Sequence, residues 1–402
     1  VDEDSVSAIV DWSVHAALDG VDEAALLDGL CVRLLSAGLP LRRVAVGSGL
    51  LHPTLDSRGY RWTRGEPVVQ EDYARSQVAL EEWDKSPFRA LVEGNERSLR
   101  RRLDGDYRHG EFEMLDRLKA EGATDYYARI EGSRSAPTSA GKMGASVSSW
   151  TIDRRGGYED REIAQIDRIS AAFALAYQSR ALHGTVRTLM ETYLGAGAAR
   201  RVLDGNVERG RADAIDAVIW YSDLVNFTRI ADEVEREQLL GLLNEYAAVQ
   251  VEAVESHGGE VLKFVGDGIL AIFPDPDPAR AAGQALDAAL AADAGIVALN
   301  RARRDSGLRT TEFYLALHTG SVLFGNFGSQ TRLDFTVLGP AVNETSRIGA
   351  MCRSLDQQVI VSSAFAGAAG RRRADLVSLG RYALRGVGAP QELFTLDRGR
   401  IG

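Results

Sequence analysis

The sequence predicts an α+β chain with two folded parts joined by a helix, and three observations carry that prediction. From Ala217 onward, apolar runs of strand length and helical stripes of 3.6-residue spacing follow one another in the order βαββαβ. Ahead of them, residues 11–177 read as a helix, mixed strands and an exit helix, a separate pattern. Between the two, the exit helix continues past Tyr177 through Leu182, Val186, Leu189, Met190 and Tyr193 as a helical connector. A chain of 402 residues has the length for two domains. The expected boundaries are 1–180 for the first, 181–212 for the connector and 213–402 for the second.

Composition narrows the function classes. The chain is 45% hydrophobic and 26% charged, ordinary for a globular protein. A net charge of −10 argues against a general nucleic-acid binder. Cys31 and Cys352, the only cysteines, lie far apart; neither a disulfide framework nor a cysteine metal cluster is expected, and a reducing, cytoplasmic setting fits. The longest apolar stretches, such as Ile169 to Tyr177, are too short for a bilayer, so no membrane span is expected. No signal peptide precedes Val1, and the missing Met reads as trimming. Lysine is confined to Lys85, Lys119, Lys142 and Lys263, which leaves Lys263 alone in the second half.

In the first half, Trp12, Val14, Ala17, Leu18, Ala24, Leu27, Leu30, Cys31, Leu34 and Leu35 give residues 11–36 the spacing of a helix, which Gly38-Leu39-Pro40 stops. Arg42–Ser48 and Tyr60–Thr63 read as strands. Residues 69–121 read as charged helix or loop, with Arg100-Arg101-Arg102 a solvated face among acids. Asp125–Ile130 alternates as a strand, and Gly144–Ile152 reads as a central one. Gly156-Gly157-Tyr158 turns the chain, and Glu159 or Asp160 caps the exit helix. His15, His52, His109 and His183 lack metal-ligand spacing and read as structural or surface residues, and Cys31 as core. The stretch SSWTIDRRGGYEDREIAQIDRISAAFALAY resembles the last strand and helix of a GAF domain, a resemblance reaching over roughly residues 10–180. It implies a sensor for an unknown small molecule, of a kind that often dimerises through such end helices. It names no ligand, because the asparagine–lysine, phenylalanine and aspartate–glutamate pattern of cyclic-nucleotide-binding GAF domains is absent.

In the second half, the apolar run Ala217–Tyr221 ends in Ser222-Asp223. A helix follows, with Ile230, Val234, Leu239, Leu242, Leu243, Tyr246 and Val249 on one stripe. Gly258-Gly259 leads into a strand at Val261–Val265, the turn Gly266-Asp267-Gly268, and a strand at Ile269–Phe273. A helix at Pro278–Arg304, a strand at Thr311–His318, short strands near Val322 and Phe335, a helix at Pro340–Cys352, a strand at Gln358–Val361 and final strands complete the pattern. Right-handed β–α–β connection lets Asp223, just past one strand, converge with Asp267 at the hairpin tip, and two convergent carboxylates suit a pair of magnesium ions.

The motifs SDLVNFT, HGGEVLKFVGDGILAIF, ALHTGSVLFGNFG and RLDFTVLGPAVNETSR together resemble a class III nucleotidyl cyclase catalytic domain over about residues 213–396, in that family's order and spacing. The resemblance implies a ferredoxin-like βαββαβ core and two Mg²⁺ (or Mn²⁺) ions per site. These would be held by Asp223, Asp267 and the Leu224 carbonyl. The turn Val225-Asn226-Phe227-Thr228 would turn its amides outward as a phosphate cradle, with Phe227 and Thr228 opening the helix. Asn343 and Arg347, four apart on one helix face, would orient the ribose and stabilise charge on the α-phosphoryl group. Lys263 can only donate, which suits adenine N1, and Thr336 aligns with the second base-reading position, where its hydroxyl accepts from N6. The implied reaction is ATP to 3′,5′-cyclic AMP and pyrophosphate. Thr336 departs from the family's usual aspartate and resembles a subgroup often stimulated by bicarbonate, a candidate effector. Pro340 replaces another common aspartate, and Arg385-Gly386 stands for a lysine–glycine pair thought to contact the triphosphate. Family sites are shared between two catalytic domains, so a homodimer is implied. The alternatives are a nucleotide-binding module with a dead site, a cyclase for GTP or a pyrimidine nucleotide, and a diguanylate cyclase, whose Gly-Gly-(Asp/Glu)-Glu-Phe hairpin is missing here.

Overall fold

The computed structural model describes residues 1–76, 81, 83–105, 107–132, 145–397 and 399. Gly144, the predicted first residue of a strand, lies outside the described residues, as do Lys142 and the C-terminal end at 402. The chain divides into two compact units, Val1–Leu189 and Met190–Gly402.

The first unit is a six-stranded antiparallel sheet with helices on both faces. Its strands are β1 (Leu41–Gly49), β2 (Leu55–Thr63), β3 (Val69–Ala74), β4 (Ser98–Arg102), β5 (Asp125–Gly132) and β6 (Ala145–Ile152), in the order β3-β2-β1-β6-β5-β4. Helices α1 (Glu3–Leu18) and α2 (Glu23–Ser36) cover one face, where Val6, Leu26, Leu30 and Cys31 pack against Val44, Val46, Trp62 and Trp150. The predicted single helix over 11–36 is two helices: Gly20 takes φ +86, and the Asp22 carboxylate accepts from the Ala25 amide at 2.8 Å to start the second. Short helices α3 (Pro87–Glu93) and α4 (Glu113–Ala120) cover the other face through Leu91, Leu115 and Leu118. Helix α5 (Asp160–Leu194) leaves the sheet and contains the division between the units.

Residues 69–121 hold two strands that charge concealed, and Arg100-Arg101-Arg102 is no free solvated face. All three lie on β4, and each takes an acid: Asp125, Glu111 and Asp104. Asp125 is fully buried and accepts from Arg100 Nη2 at 2.8 Å and from the Tyr158 amide at 2.9 Å. Gly157, at φ +75, clears that carboxylate; a Cβ there would sit 2.3 Å from Asp125 Oδ2.

The second unit begins with α6 (Ala196–Leu203), β7 (Ala212–Leu224), α7 (Phe227–Glu233), α8 (Arg236–Ser256), β8 (Glu260–Val265), β9 (Gly268–Phe273) and α9 (Pro278–Asp305). It continues with β10 (Phe313–Gly328), β11 (Leu333–Leu338), α10 (Pro340–Ser354), β12 (Val359–Ser362), α11 (Ser363–Ala368), β13 (Leu376–Tyr382) and β14 (Gln391–Leu396). The sheet order is β13-β14-β12-β10-β7-β9-β8, with β11 on β10. Its four antiparallel strands β10-β7-β9-β8 are the ferredoxin-like arrangement the βαββαβ order implies.

The run Ala217–Trp220 is apolar at every position because both its faces are buried. Val218 and Trp220 pack under α8 and α9, while Ala217 and Ile219 face Leu262, Ile272, Phe324 and Ala198 of α6. Helix α9 has the length and hydropathy of a membrane span, and is a longer apolar segment than Ile169–Tyr177. Its alanines at 281, 282, 285, 288, 289 and 292 are buried in the core under the sheet. Three expectations change here. Strand β7 runs through Asp223 to Leu224, the following helix breaks at Val234 (φ −110°, ψ 139°), and the strands predicted around His318 and Val322 are one, β10.

Replacing Arg100 with Met leaves the Asp125 carboxylate buried without its cation. The first unit is expected to lose about 3 kcal/mol, read as an earlier first transition in urea unfolding; an unchanged transition refutes that role.

Candidate active site

Strand β7 and the β8–β9 hairpin bring two carboxylates together. Asp223 is the penultimate residue of β7, and Asp267 lies in the turn after β8. Ser222 pairs with Ile269, so strand end and hairpin tip meet at one edge of the sheet. The approach is close: a Cβ on Gly268 would sit 2.4 Å from the Ser222 carbonyl oxygen, and Gly266 turns at φ +66. The Leu224 amide donates to Asp267 Oδ2 at 3.1 Å. Burial, with the adjacent Asp267 carboxylate next in weight, pushes the Asp223 pKa up to about 7. Two acids this close share a proton unless a cation lies between them.

That crowding is the test of whether a metal fits, and it does. The donors are hard oxygens, which suit Mg²⁺ or Mn²⁺ completed by water and phosphate oxygens. Among the described residues no group of three or more His, Cys, Asp or Glu gathers, so two carboxylates and a carbonyl would be the protein's whole share. One part of the expected phosphate cradle changes. The Val225 amide already donates to the Glu312 carbonyl at 2.9 Å and does not face outward. Asn226 takes the left-handed conformation at φ 55° and ψ 30°; Phe227 packs on the core and Thr228 is exposed.

A second group forms between β8 and β11. Lys263 Nζ donates to Asp334 Oδ2 at 2.5 Å. Asp334 and Thr336 are two apart on β11 and share a face. Thr336 is 3% exposed, and its hydroxyl has no hydrogen-bond partner among the described residues. Asp334 is the residue that sequence reasoning passed over; strand alternation with Thr336 was the available signal.

A third group lines a cleft of about 590 Å³ on α10, walled by Asn343, Glu344, Arg347 and the Gly386–Gly388 loop. The Arg347 guanidinium lies against Gly386, where a Cβ would come within 3.2 Å of Nη2. Arg385, next in chain, is exposed. Behind α10, His318 is 6% exposed, shares a 2.8 Å hydrogen bond with Ser362 Oγ, and lies 3.8 Å from Glu344 Oε1. Burial holds the His318 pKa down against the pull of Glu344.

Within one chain the first group faces the last turn of α10, whereas Arg347 lies in mid-helix. Gly349 of α10 packs on the Tyr221 ring, and the α10 cation that Asp223 feels is Arg353, in the helix's last turn. Arg347 is six residues back, roughly 9 Å along the axis.

Comparison with known proteins adds a family. Residues 211–397 match the family model of the adenylate and guanylate cyclase catalytic domain. Adenylate cyclase 1 of Rhizobium meliloti (strain 1021) is 32% identical over 150 residues, 37% of this chain and 23% of its own length. The adenylate cyclase of Anabaena cylindrica is 26% identical over 203 residues, 49% of this chain and 39% of its own length. The chain thus spans well under half the length of these relatives. Among solved structures, the adenylyl cyclase CyaB from P. aeruginosa is 25% identical with a TM-score of 0.42, covering 46% of this chain and 95% of that one. The guanylyl cyclase Cya2 is 27% identical with a TM-score of 0.41, covering 47% of this chain and 96% of that one.

The raised Asp223 pKa has a stability consequence. Unfolded, the group loses its proton near pH 4; folded, it keeps it to about pH 7. In that window the folded state binds the extra proton, so its contribution to stability falls as pH rises. Calorimetry in chelator should show wild type losing melting temperature relative to Asp267→Asn between about pH 5 and pH 7.5, with Mg²⁺ closing the gap. Parallel curves contradict the coupling.

Proposed function

Residues 211–397 belong to the class III adenylyl/guanylyl cyclase family, and from that premise we propose that the chain is an adenylate cyclase, turning ATP into 3′,5′-cyclic AMP and pyrophosphate. The observation that carries the choice of base is the pairing of Lys263 with the β11 face. One of the three Lys263 donors is taken by Asp334, which holds the ammonium in place and leaves two for adenine N1. The unpartnered Thr336 hydroxyl accepts from adenine N6. Guanine reverses both edges, and a buried mismatch of that kind discriminates by about 10⁴-fold.

In this reading Asp223, Asp267 and the Leu224 carbonyl hold two Mg²⁺ or Mn²⁺ ions. When bound, such ions supply a lowered pKa for the ribose 3′-hydroxyl and a grip on the triphosphate. Asn343 orients the ribose so that the 3′-oxygen lines up with the α-phosphorus. Arg347 meets the charge that grows on the α-phosphoryl oxygens, and Arg385 pairs with the outgoing pyrophosphate. The amides that open α7 at Phe227 and Thr228 face the phosphates.

The separation of Asp223 from Arg347 along α10 supports a site shared by two copies of the chain, one giving the carboxylates and the other the base-reading and Asn343/Arg347 groups. Exposed Phe264 and Val265 on β8 and Phe327 on β10 offer apolar surface for such a homodimer. The first unit, a helix-flanked sheet feeding the long α5, is proposed as a GAF-like small-ligand sensor, and bicarbonate as an effector acting at the Thr336 side.

Assayed with ATP, GTP, CTP and UTP, the chain is expected to prefer ATP, and Lys263→Glu to erode that preference; a wild-type preference for another nucleotide overturns the assignment. Asp223→Ala and Arg347→Ala should each lose roughly 10³-fold in rate. Their mixture should regain activity through one intact site per heterodimer, and silence in a mixture shown to contain heterodimers refutes the shared site.

A further inference from the structure

The sheet of the first unit carries a cation, Arg43, for which no acid stands within ion-pair distance among the described residues, Glu71 acting on it only from further off. On β1, Val44 and Val46 face the core under α1, α2 and α5, so Arg43, Ala45 and Gly47 face the opposite side. In register, Arg43 lies beside Thr151 of β6, and Thr151 beside Tyr126 of β5, one row across three strands. Tyr126 belongs to the cluster under α3 and α4, on that same opposite side, whereas Tyr127 belongs to the other core.

Arg43 Nη1 and the Tyr126 hydroxyl are both shut off from solvent; Nη1 makes no hydrogen bond among the described residues, and the Tyr126 hydroxyl has only the Ser149 hydroxyl as a polar neighbour, short of a well-formed bond. Every other arginine on these six strands, from Arg42 with Asp153 to Arg129 with Glu131, has an acid within ion-pair distance. The nearest acid to Arg43 on this face, Glu71, is held by Arg61 at 2.7 Å and by the Tyr73 hydroxyl at 3.0 Å. A partly buried guanidinium with one nitrogen shut from solvent and unbonded is a cost to the fold, and a partner from outside would remove it. Beside it the row positions Ala45, Gly47 and Gly59 are small, with Arg61 next to Ala45 and Val147 next to Gly47 as the larger neighbours.

We propose that Arg43 and Tyr126 form a receptor for a small organic monocarboxylate. The guanidinium takes the carboxylate through its planar fork, and the Tyr126 hydroxyl donates to one carboxylate oxygen. The organic remainder lies over Ala45, Gly47 and Gly59. One unanswered cation, with Glu71 at the rim, matches a single negative charge and disfavours a phosphate dianion. Burial holds the Arg43 pKa down and the Tyr126 pKa up, so the ligand-free site is under electrostatic tension that an anion relieves. The inference names the ligand class for the proposed sensor and rests on that reading only for what occupancy would regulate.

The test reads melting of the full chain by calorimetry at fixed ionic strength, with no nucleotide turnover, so its failure and that of the cyclase reading are separable. Benzoate, butyrate and lactate are the probes, with benzamide and inorganic phosphate as controls. At least one carboxylate should raise the first-unit transition saturably, and neither control should. Arg43→Met should weaken that response at least about tenfold, and Tyr126→Phe should weaken it less. Ligand-free Arg43→Met should also melt several degrees above ligand-free wild type, since it removes an unpaired buried charge. The proposal is overturned by a destabilised Arg43→Met, by phosphate protecting where carboxylates do not, by no response to any carboxylate, or by undiminished binding to Arg43→Met.

Discussion

The second unit depends on one ladder. Strands β7 and β10 pair antiparallel over thirteen positions, from Ala212 against Gly325 to Leu224 against Phe313, without a bulge. Over Ala217–Trp220 both faces are buried, so a slip of one residue would exchange the Trp220 face for the Ile219 face and open both cores at once. Close contact locks one end: a Cβ at Gly325 would sit 2.2 Å from the Arg211 carbonyl oxygen. The functional groups inherit their places from this register. It places Asp223, the penultimate residue of β7, opposite Tyr314, and it sets Ala316 and Tyr221 side by side as the bed on which Gly349 of α10 packs.

Charge is distributed so that each group of the site is incomplete in a different way. At the Asp223–Asp267 pair, burial first and the neighbouring Asp267 carboxylate second push the Asp223 pKa up to about 7. The α10 cleft has Arg347 resting on a glycine loop without an ion-pair partner among the described residues. Lys263 is the exception, already paired with Asp334, yet an ammonium with three donors can be oriented by one acid and still read a base. In the proposed reading, acid by the last turn of α10 and the Arg347 guanidinium in mid-helix are groups that a triphosphate bridging two copies would bring together.

Much of this was legible in the sequence, for identifiable reasons. The doubly buried strands announced themselves as unbroken apolar runs, and Gly266-Asp267-Gly268 announced a hairpin, so the residue pattern alone places the two carboxylates at one edge. The failures share a cause: periodicity sees a stripe and not an interruption. Helices 3–18 and 23–36 keep one apolar stripe through a four-residue break, marked by Gly20 and the Asp22 cap alone. The break at Val234 is hidden the same way. Strand β4 was masked by three arginines, because pairing with Asp125, Glu111 and Asp104 is a tertiary fact. The Val225 amide was lost to Glu312, a backbone partner that no residue pattern announces.

Polar groups inside the protein separate into those that hold the fold and those that await something. Tyr246, Asn300 and Thr311 close a loop of hydrogen bonds among α8, α9 and the start of β10: Tyr246 donates to Asn300, Asn300 Nδ2 to the Thr311 carbonyl at 2.7 Å, and the Thr311 amide to the Tyr246 oxygen at 2.9 Å. Such a closed set rigidifies and asks for nothing further. An orphan alone does not mark a site; the Tyr158 hydroxyl and Gln250 Oε1 are orphans too. What distinguishes Thr336 is an oriented donor, Lys263, on the adjoining strand, and what distinguishes Arg43 is Tyr126 in the same row of the sheet. Convergence of unsatisfied groups from separate strands costs the fold at each member, and a fold retains that cost where a ligand repays it.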